Sequence, residues 1–120
     1  MRPRYAEFEI AVPPTAQLGE GPPAVPDGLN VDAEGCIWVA LHGAWGLNRY
    51  SPEGALVGGV RLPVARITSC CFGGDDLRDL YVTTRRQGLS ASERVAQPLA
   101  GCLLRLDVGV AGLPTNAFAG

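Results

Sequence analysis

The sequence contains no lysine, and all ten of its cationic residues are arginines. A Schiff-base or general-base lysine is therefore excluded. Twelve acidic residues bring the formal net charge to −2, which is too small to attract a polyanion such as nucleic acid. The longest apolar run, around residues 37–41, is far shorter than the roughly 18 residues that span a membrane. We therefore expect neither a nucleic-acid nor a membrane partner.

Histidine is also scarce, and the cysteines are not spaced as metal ligands. The single histidine, His42, excludes a multi-histidine metal site, and no Gly-x-Ser-x-Gly motif marks a serine nucleophile. The four cysteines lack the Cys-x-x-Cys spacing of zinc and redox sites. Residues 1–9 contain no apolar segment typical of a secretion signal, so we expect a cytoplasmic protein with mostly buried, reduced thiols.

Residues that favour turns are abundant, with 16 glycines and 10 prolines in 120 residues. Short runs of aromatic and β-branched residues separate these turns, which favours an all-β fold. Strands are predicted over residues 5–12, 29–32, 36–41, 47–51, 55–62, 69–72, 80–84 and 102–108. Ser90 and Glu93 have the spacing of a capping box, so a short helical turn is predicted over residues 90–97.

The order of the predicted strands repeats along the chain. About 40 residues separate Val31 from Phe72, and a similar offset separates Trp38 from Tyr81; such a period is typical of the four-stranded blades of a β-propeller. We expect Trp38 and Tyr81 to pack between blades. The predicted divisions are the last strand of a preceding blade plus a Pro-rich loop over 1–23, one blade over 24–66, and a final blade with a short helical insertion over 67–120. Because propellers close with about four to eight blades, two blades do not close one alone.

Several short motifs resemble those of one known family. They are Pro-Asp-Gly-Leu at 26–29, Ile-Trp-Val-Ala at 37–40, Leu-Pro-Val at 62–64, Thr-Ser-Cys-Cys-Phe-Gly-Gly at 68–74, Leu-Tyr-Val-Thr-Thr at 80–84, Gln-Pro-Leu-Ala-Gly at 97–101 and Phe-Ala-Gly at 118–120. Over about residues 24–120 the chain is similar to the C-terminal part of the gluconolactonase, regucalcin (senescence marker protein) and luciferin-regenerating enzyme family. The resemblance implies a six-bladed propeller that holds one divalent metal ion in its central channel and hydrolyses sugar lactones.

The resemblance also implies a role for the acid of the Pro-Asp-Gly motif. Asp27 would be a metal ligand and would also serve as the general base. From the residues alone, the same tripeptide is common turn chemistry, so a turn acid is the alternative. Ca²⁺ is the expected ion because carboxylate and amide oxygens suit it, with Zn²⁺, Mg²⁺ and Mn²⁺ as alternatives.

Three further positions are candidate site residues. The motif Leu-Gly-Glu-Gly-Pro at 18–22 resembles the first-blade motif of the family, which would make Glu20 a second metal ligand. The alternative is a solvated loop acid, since acidic loop residues mostly lie on the surface. In the loop 42–46, where family members often carry a glycine pair, we expect His42 and Trp45 to contact substrate.

The function indicated by the resemblance is metal-dependent hydrolysis of a sugar lactone, in a C-terminal fragment or shortened member of the family. The remaining ligands and substrate-binding residues would lie in parts of the family that this chain does not match. The alternative is a non-catalytic calcium-binding or self-assembling module. Three copies of two blades would close a six-bladed ring and bring three Asp27 carboxylates around one axis. A sugar lactone and a second copy of the chain are therefore the partners that we expect.

Overall fold

The computed structural model describes residues 5–9 and 25–114, and within them the chain forms eight strands and one short helix. The strands are β1 Tyr5–Glu9, β2 Val25–Val31, β3 Ile37–His42, β4 Gly46–Tyr50, β5 Leu56–Arg61, β6 Ile67–Gly73, β7 Asp79–Thr84 and β8 Leu103–Asp107, and the helix α1 is Ala91–Ala96. The prediction of an all-β fold is confirmed. Helix α1 has six residues and is too short to cross a membrane.

The strands form two four-stranded sheets. The first sheet has the order β2-β3-β4-β5, with every neighbouring pair antiparallel. The second has the order β1-β8-β7-β6, in which β6, β7 and β8 are antiparallel and β1 runs parallel to β8. Short turns connect the antiparallel strands other than β7 and β8, and Gly35 and Gly54 supply the positive φ angles that two of these turns require.

Strand β1 belongs to the second sheet by its hydrogen bonds. Its backbone pairs with β8 from Tyr5 opposite Leu103 to Glu9 opposite Asp107. The sequence analysis predicted this strand but assigned it, within residues 1–23, to the blade that precedes the other two. The pairing covers the outer edge of β8, which would otherwise expose unpaired N–H and C=O groups. The division of the chain into blades remains a prediction.

The two sheets meet most closely at their inner edge strands, β2 and β6, which pack beside each other. Gly28 of β2 lies against Ser69 of β6, and a Cβ atom at residue 28 would overlap the side chain of Ser69. The close approach of these two strands therefore requires a glycine at position 28.

The hydrophobic core fills the space between the sheets. Trp38, Leu47 and Val60 contribute from the first sheet, and Leu80 and Leu104 contribute from the second. The expectation that Trp38 lies in a core is met. Tyr81 is half-buried on the opposite face of β7, because its neighbours Leu80 and Val82 occupy the inward positions of that strand.

A helical insertion separates β7 from β8. Ser90 is the N-cap of α1: its Oγ accepts a hydrogen bond from the backbone N–H of Glu93 at 3.2 Å, and its own N–H donates to Glu93 Oε1 at 2.9 Å. This confirms the capping box that the sequence predicted. The insertion lies at one end of the sheets, together with the start of β2, the turn between β3 and β4, and the start of β6. We call this the Asp27 end, and the opposite one the Asp32 end.

Replacing Gly28 by alanine tests the close approach of β2 and β6. We expect Gly28→Ala to lower the free energy of unfolding by about 1–3 kcal/mol, because the added methyl group overpacks the contact with Ser69. Urea denaturation measures the change. In the double variant with Ser69→Gly the loss should be smaller than the sum of the two single losses. Strictly additive losses would contradict the contact.

Candidate functional site

Asp27 lies at an irregular point of the inner edge strand β2. The pairing of β2 with β3 shifts register between Pro26 and Leu29, and Asp27 stands inside this bulge. Its side chain is exposed and has no hydrogen bond or ion pair to any residue of 25–114. Bulges commonly re-aim a side chain next to functional sites. The carboxylate of Asp27 is thus available to bind a ligand, and its roles as metal ligand and general base stay predictions.

His42 and Trp45 lie at the same end of the sheets as Asp27. His42 is opposite Val25 at the start of β2 and forms an isolated bridge with Arg66. The alternation along β3 places its imidazole on the same side as the buried Trp38, and its Nε2 atom is buried with no hydrogen-bond partner. The structure therefore brings His42 near the proposed site but turns its side chain towards the core.

Trp45 has an unusual backbone conformation. Its φ angle is 64°, in the left-handed region that residues other than glycine rarely adopt. Its N–H donates to Ala65 O at 3.3 Å, and its own C=O accepts from Leu62 N at 2.7 Å. These bonds hold the turn between β3 and β4 against residues 62–65 and offset the strain. Contact of His42 or Trp45 with substrate stays a prediction, and Glu20 lies outside the described residues.

The strongest polar network of the described residues surrounds Asp32, in the turn between β2 and β3. Asp32 is fully buried. Its Oδ1 accepts hydrogen bonds from the N–H groups of Glu34 and Cys36 at 2.9 and 3.0 Å. Its Oδ2 accepts from Trp38 Nε1 and from Arg49 Nε, each at 2.9 Å. The sequence analysis did not identify this network, because Arg49 lies on another strand and no local motif indicates the pairing.

Arg49 connects this turn to β4. Its guanidinium forms ion pairs with Asp32 at 2.9 Å and with Glu34 at 2.7 Å, and it lies 5.6 Å from the ring centroid of Trp38. Burial opposes the charge of Arg49, but the hydrogen bonds with Glu34 and Asp32 outweigh this effect and raise its pKa. Arg49 is therefore the counterion of the acidic residues in this network.

Asp32, Glu34 and Cys36 place one candidate ligand atom each within 4.8 Å of one another, which raises the question of a metal site. Burial raises the pKa of the Cys36 thiol, which disfavours the thiolate that binds metals. Both oxygens of Asp32 already accept two hydrogen bonds each, and Arg49 supplies the positive charge. We conclude that the donor set fits a structural ion pair and does not fit a metal ion.

The cysteines are all free in the structure. Cys70 is buried, and its Sγ donates to the backbone oxygen of Trp38 at 3.6 Å. Burial raises the pKa of Cys70 to about 12, so it is protonated at neutral pH and unsuited to act as a nucleophile. Cys71, next in sequence, is exposed on the opposite face of β6.

Charge is distributed unequally between the two ends of the sheets. Arginines gather at the Asp27 end, namely Arg61, Arg66, Arg85, Arg86 and Arg94. Acidic residues predominate at the Asp32 end, namely Asp32, Glu34, Glu53, Asp75, Asp76, Asp79 and Asp107. Among the described residues, Asp27 and Glu93 are the acids at the Asp27 end, so the excess of arginine there favours anionic ligands.

Comparison with solved structures defines the class of protein. The chain is similar to regucalcin from Agrobacterium tumefaciens, described as a calcium-binding protein, with a TM-score of 0.70 and 33% identity over 73% of this chain and 30% of that one. It is also similar to a luciferin-regenerating enzyme, with a TM-score of 0.66 and 33% identity over 76% of this chain and 31% of that one. The class is therefore that of the regucalcin-like all-β proteins.

Sequence comparison identifies the family. The family model of the SMP-30/Gluconolactonase/LRE-like region matches residues 10–86. The chain therefore belongs to this family, as its motifs predicted.

Two curated relatives show how much of the family the chain covers. Regucalcin from Danio rerio is 42% identical over 98 residues, which are 80% of this chain and 33% of the relative. The 6-deoxy-6-sulfogluconolactonase of Pseudomonas putida is 38% identical over 121 aligned positions, which are 98% of this chain and 42% of the relative. The chain spans about a third of the length of the regucalcin that it matches.

Removing the carboxylate at residue 32 tests the structural role of the network. We expect Asp32→Ala to lower the free energy of unfolding by about 3–5 kcal/mol, because three donors of the turn and of β3, and the Arg49 guanidinium, lose their buried acceptor. Glu34→Ala is the matched control, and removal of this exposed partner of Arg49 should cost less than about 1 kcal/mol. Equal losses in urea denaturation would refute this difference.

Proposed function

We propose that this chain supplies part of the active site of a metal-dependent hydrolase that acts on a sugar lactone. One observation carries the proposal: the exposed carboxylate of Asp27 has no partner within residues 25–114 and stands in a bulge of the inner edge strand β2. A second metal-binding residue, Glu20, and a cytoplasmic location, both predicted from the sequence, are part of the same proposal.

The chemistry of Asp27 fits a hard divalent cation. A free carboxylate oxygen is the donor that Ca²⁺ prefers, and Ca²⁺ takes about six to eight oxygen ligands in all. The similar regucalcin from A. tumefaciens is described as calcium-binding, which supports Ca²⁺ over Zn²⁺, Mg²⁺ or Mn²⁺. Asp27 alone does not complete such a shell, so Glu20 and residues outside this chain would supply the other ligands. A bound divalent ion polarises a carbonyl group and lowers the pKa of bound water.

The residues at the Asp27 end suit the hydrolysis of a lactone. In this reaction water adds to the carbonyl carbon, the bond from that carbon to the ring oxygen breaks, and the ring oxygen takes up a proton. Asp27 would orient the attacking water and accept its proton. The product is a hydroxycarboxylate anion, and Arg61 and Arg66, which lie at this end of the sheets, would stabilise negative charge there.

Substitution of Asp27 tests both metal binding and catalysis. We expect Asp27→Ala to weaken Ca²⁺ binding at least tenfold, because the bound cation loses a charged ligand. Isothermal titration with Ca²⁺ measures the affinity, and proton release from gluconolactone measures hydrolysis; any hydrolysis by the wild-type chain should fall at least a hundredfold in the variant. Asp75→Asn removes an exposed acid at the Asp32 end and should change neither quantity. Unchanged Ca²⁺ affinity in folded Asp27→Ala protein would disprove the ligand assignment.

A second candidate function, the self-assembling calcium-binding module, is favoured by exposed apolar side chains. Val25 and Leu29 of the inner edge strand are 61% and 59% exposed, and Leu56 of β5 is 41% exposed. Leu29 shares its face of the first sheet with Val31, Ile37 and Val39. Side chains of this kind are commonly covered by another sheet, and a second copy of the chain would supply one.

Light scattering on the purified chain tests this candidate. A ring of three copies predicts a particle of three times the 12.6 kDa of one chain. Leu29→Glu should shift such a particle towards the monomer, because a buried charge on the inner strand disfavours association. Leu113→Glu changes an exposed leucine outside the first sheet and should leave the mass unchanged. A monomeric wild-type chain would remove the self-assembling candidate and leave the first proposal intact.

A further inference from the structure

The insertion between β7 and β8 lines an open cleft, and Asp27 is not part of the lining. Its volume is about 390 Å³, and its lining includes Arg86, Arg94, Gln97, Gly101 and Cys102. We call it the insertion cleft. Sites for small molecules in proteins have volumes of about 300–1,000 Å³, so the insertion cleft is large enough for a sugar-sized ligand.

The walls of the insertion cleft are held in place by specific hydrogen bonds. Gln97 is buried, and its Oε1 accepts from the backbone N–H of Ala65 at 2.9 Å, which ties the insertion to the segment just before β6. On the other side, Thr84 Oγ1 donates to Cys102 O at 2.7 Å and accepts from Gly101 N at 2.9 Å. The cleft is therefore formed before any ligand arrives, which lowers the entropic cost of binding.

Two positive charges in the cleft wall lack counterions. Neither the Arg86 nor the Arg94 guanidinium has a hydrogen bond or an ion pair to any residue of 25–114. Nearby arginines are engaged elsewhere, since Arg66 donates to Gln87 O at 2.6 Å and Arg85 contacts Gln87 Oε1 at 3.5 Å. No acidic residue is part of the lining.

Glu93, the acidic residue of the insertion, already has a hydrogen-bond partner. The carboxylate of Glu93 accepts the backbone N–H of Ser90, and this hydrogen bond lowers the pKa of Glu93 and keeps it ionised at the start of α1. Glu93 does not line the cleft. Arg86 and Arg94 are solvent-exposed, and no acidic side chain of the cleft lining pairs with them, so an anionic ligand is the group that they would bind.

We propose that the insertion cleft binds a small molecule through a tetrahedral oxyanion, a phosphate or a sulfonate, held by Arg86 and Arg94. A guanidinium presents several N–H donors in a planar fork, and its hydrogen bonds to such oxyanions are charge-assisted and strong. The remaining volume accommodates the organic part of the ligand. The proposal does not rest on lactone hydrolysis, because it involves neither Asp27 nor a metal ion.

Isothermal titration of the 120-residue chain with inorganic phosphate, glucose 6-phosphate and methanesulfonate tests the proposal, with chloride at matched ionic strength as the reference. We expect saturable binding of at least one of the three probes. Arg86→Gln and Arg94→Gln should each weaken it about tenfold or more, which corresponds to the loss of one charge-assisted hydrogen bond. Both substitutions keep a long polar side chain, and Arg94 lies on the exposed surface of α1. Arg78→Gln, in a turn at the Asp32 end, is the matched control and should bind like the wild type.

Alkylation of Cys102, followed by peptide mass spectrometry, gives a second readout at the cleft itself. A saturating oxyanion should slow the alkylation of Cys102 several-fold, because Cys102 lines the cleft, and should leave the exposed Cys71 unaffected. Slower modification of both thiols to the same extent would indicate a general effect of salt and would overturn the proposal.

The three probes distinguish the sources of the oxyanion. Tighter binding of glucose 6-phosphate than of inorganic phosphate supports a sugar phosphate, equal binding supports the free anion, and selective binding of methanesulfonate supports an organosulfonate. Absence of saturable binding for all three probes, or equal affinities in the wild type and both cleft variants, would overturn the proposal.

Discussion

The buried carboxylate of Asp32 is the interaction on which the first sheet depends. It accepts hydrogen bonds from two backbone N–H groups of its own turn, from the indole of Trp38 on β3 and from the guanidinium of Arg49 on β4. Burying a charge is unfavourable unless it is paired and hydrogen-bonded. A shift of β3 or β4 by one residue would turn Trp38 or Arg49 to the other face and leave the charge unpaired. The network thus fixes the register of the strands.

This register determines what lies at the opposite end of the sheet. With β2 and β3 aligned from Asn30 opposite Trp38, the irregular pairing falls between Pro26 and Leu29. Asp27 then stands exposed in the bulge, and Gly28 allows β2 to approach Ser69 of β6. The structural acid Asp32 and the candidate ligand Asp27 therefore lie at opposite ends of the first sheet, in contrasting environments. One is buried and fully hydrogen-bonded, and the other is exposed and without a partner among residues 25–114.

Much of the local structure could be predicted from the sequence. The capping box of Ser90 and Glu93, the buried Trp38 and most of the strands follow from patterns within a few residues of one another. The pairing of β1 with β8 could not be predicted in this way, because its partners Tyr5 and Leu103 lie far apart in the chain. The same holds for the ion pair of Asp32 with Arg49.

The candidate site also has features that the sequence could predict and features that it could not. Asp27 was found through its motif, and the comparisons support the family to which that motif belongs. The burial of His42 Nε2 and the left-handed backbone of Trp45 became visible only in the folded chain. Hydrogen bonds with Leu62 and Ala65 hold the backbone of Trp45, and His42 forms a bridge with Arg66. The insertion cleft has no sequence motif, because it is assembled from the segment after β7, helix α1 and the segment before β8.

By itself, the sequence determined an all-β fold and membership of a family, because alternating apolar residues, turn glycines and short motifs are local properties of the chain. Only the tertiary structure decided which charges are paired and which are free. Arg49 is neutralised by Asp32 and Glu34, whereas Arg86 and Arg94 face an open cleft. The physical reason is that the energy of a charge depends on its distance to other charges and on its burial, and packing sets both.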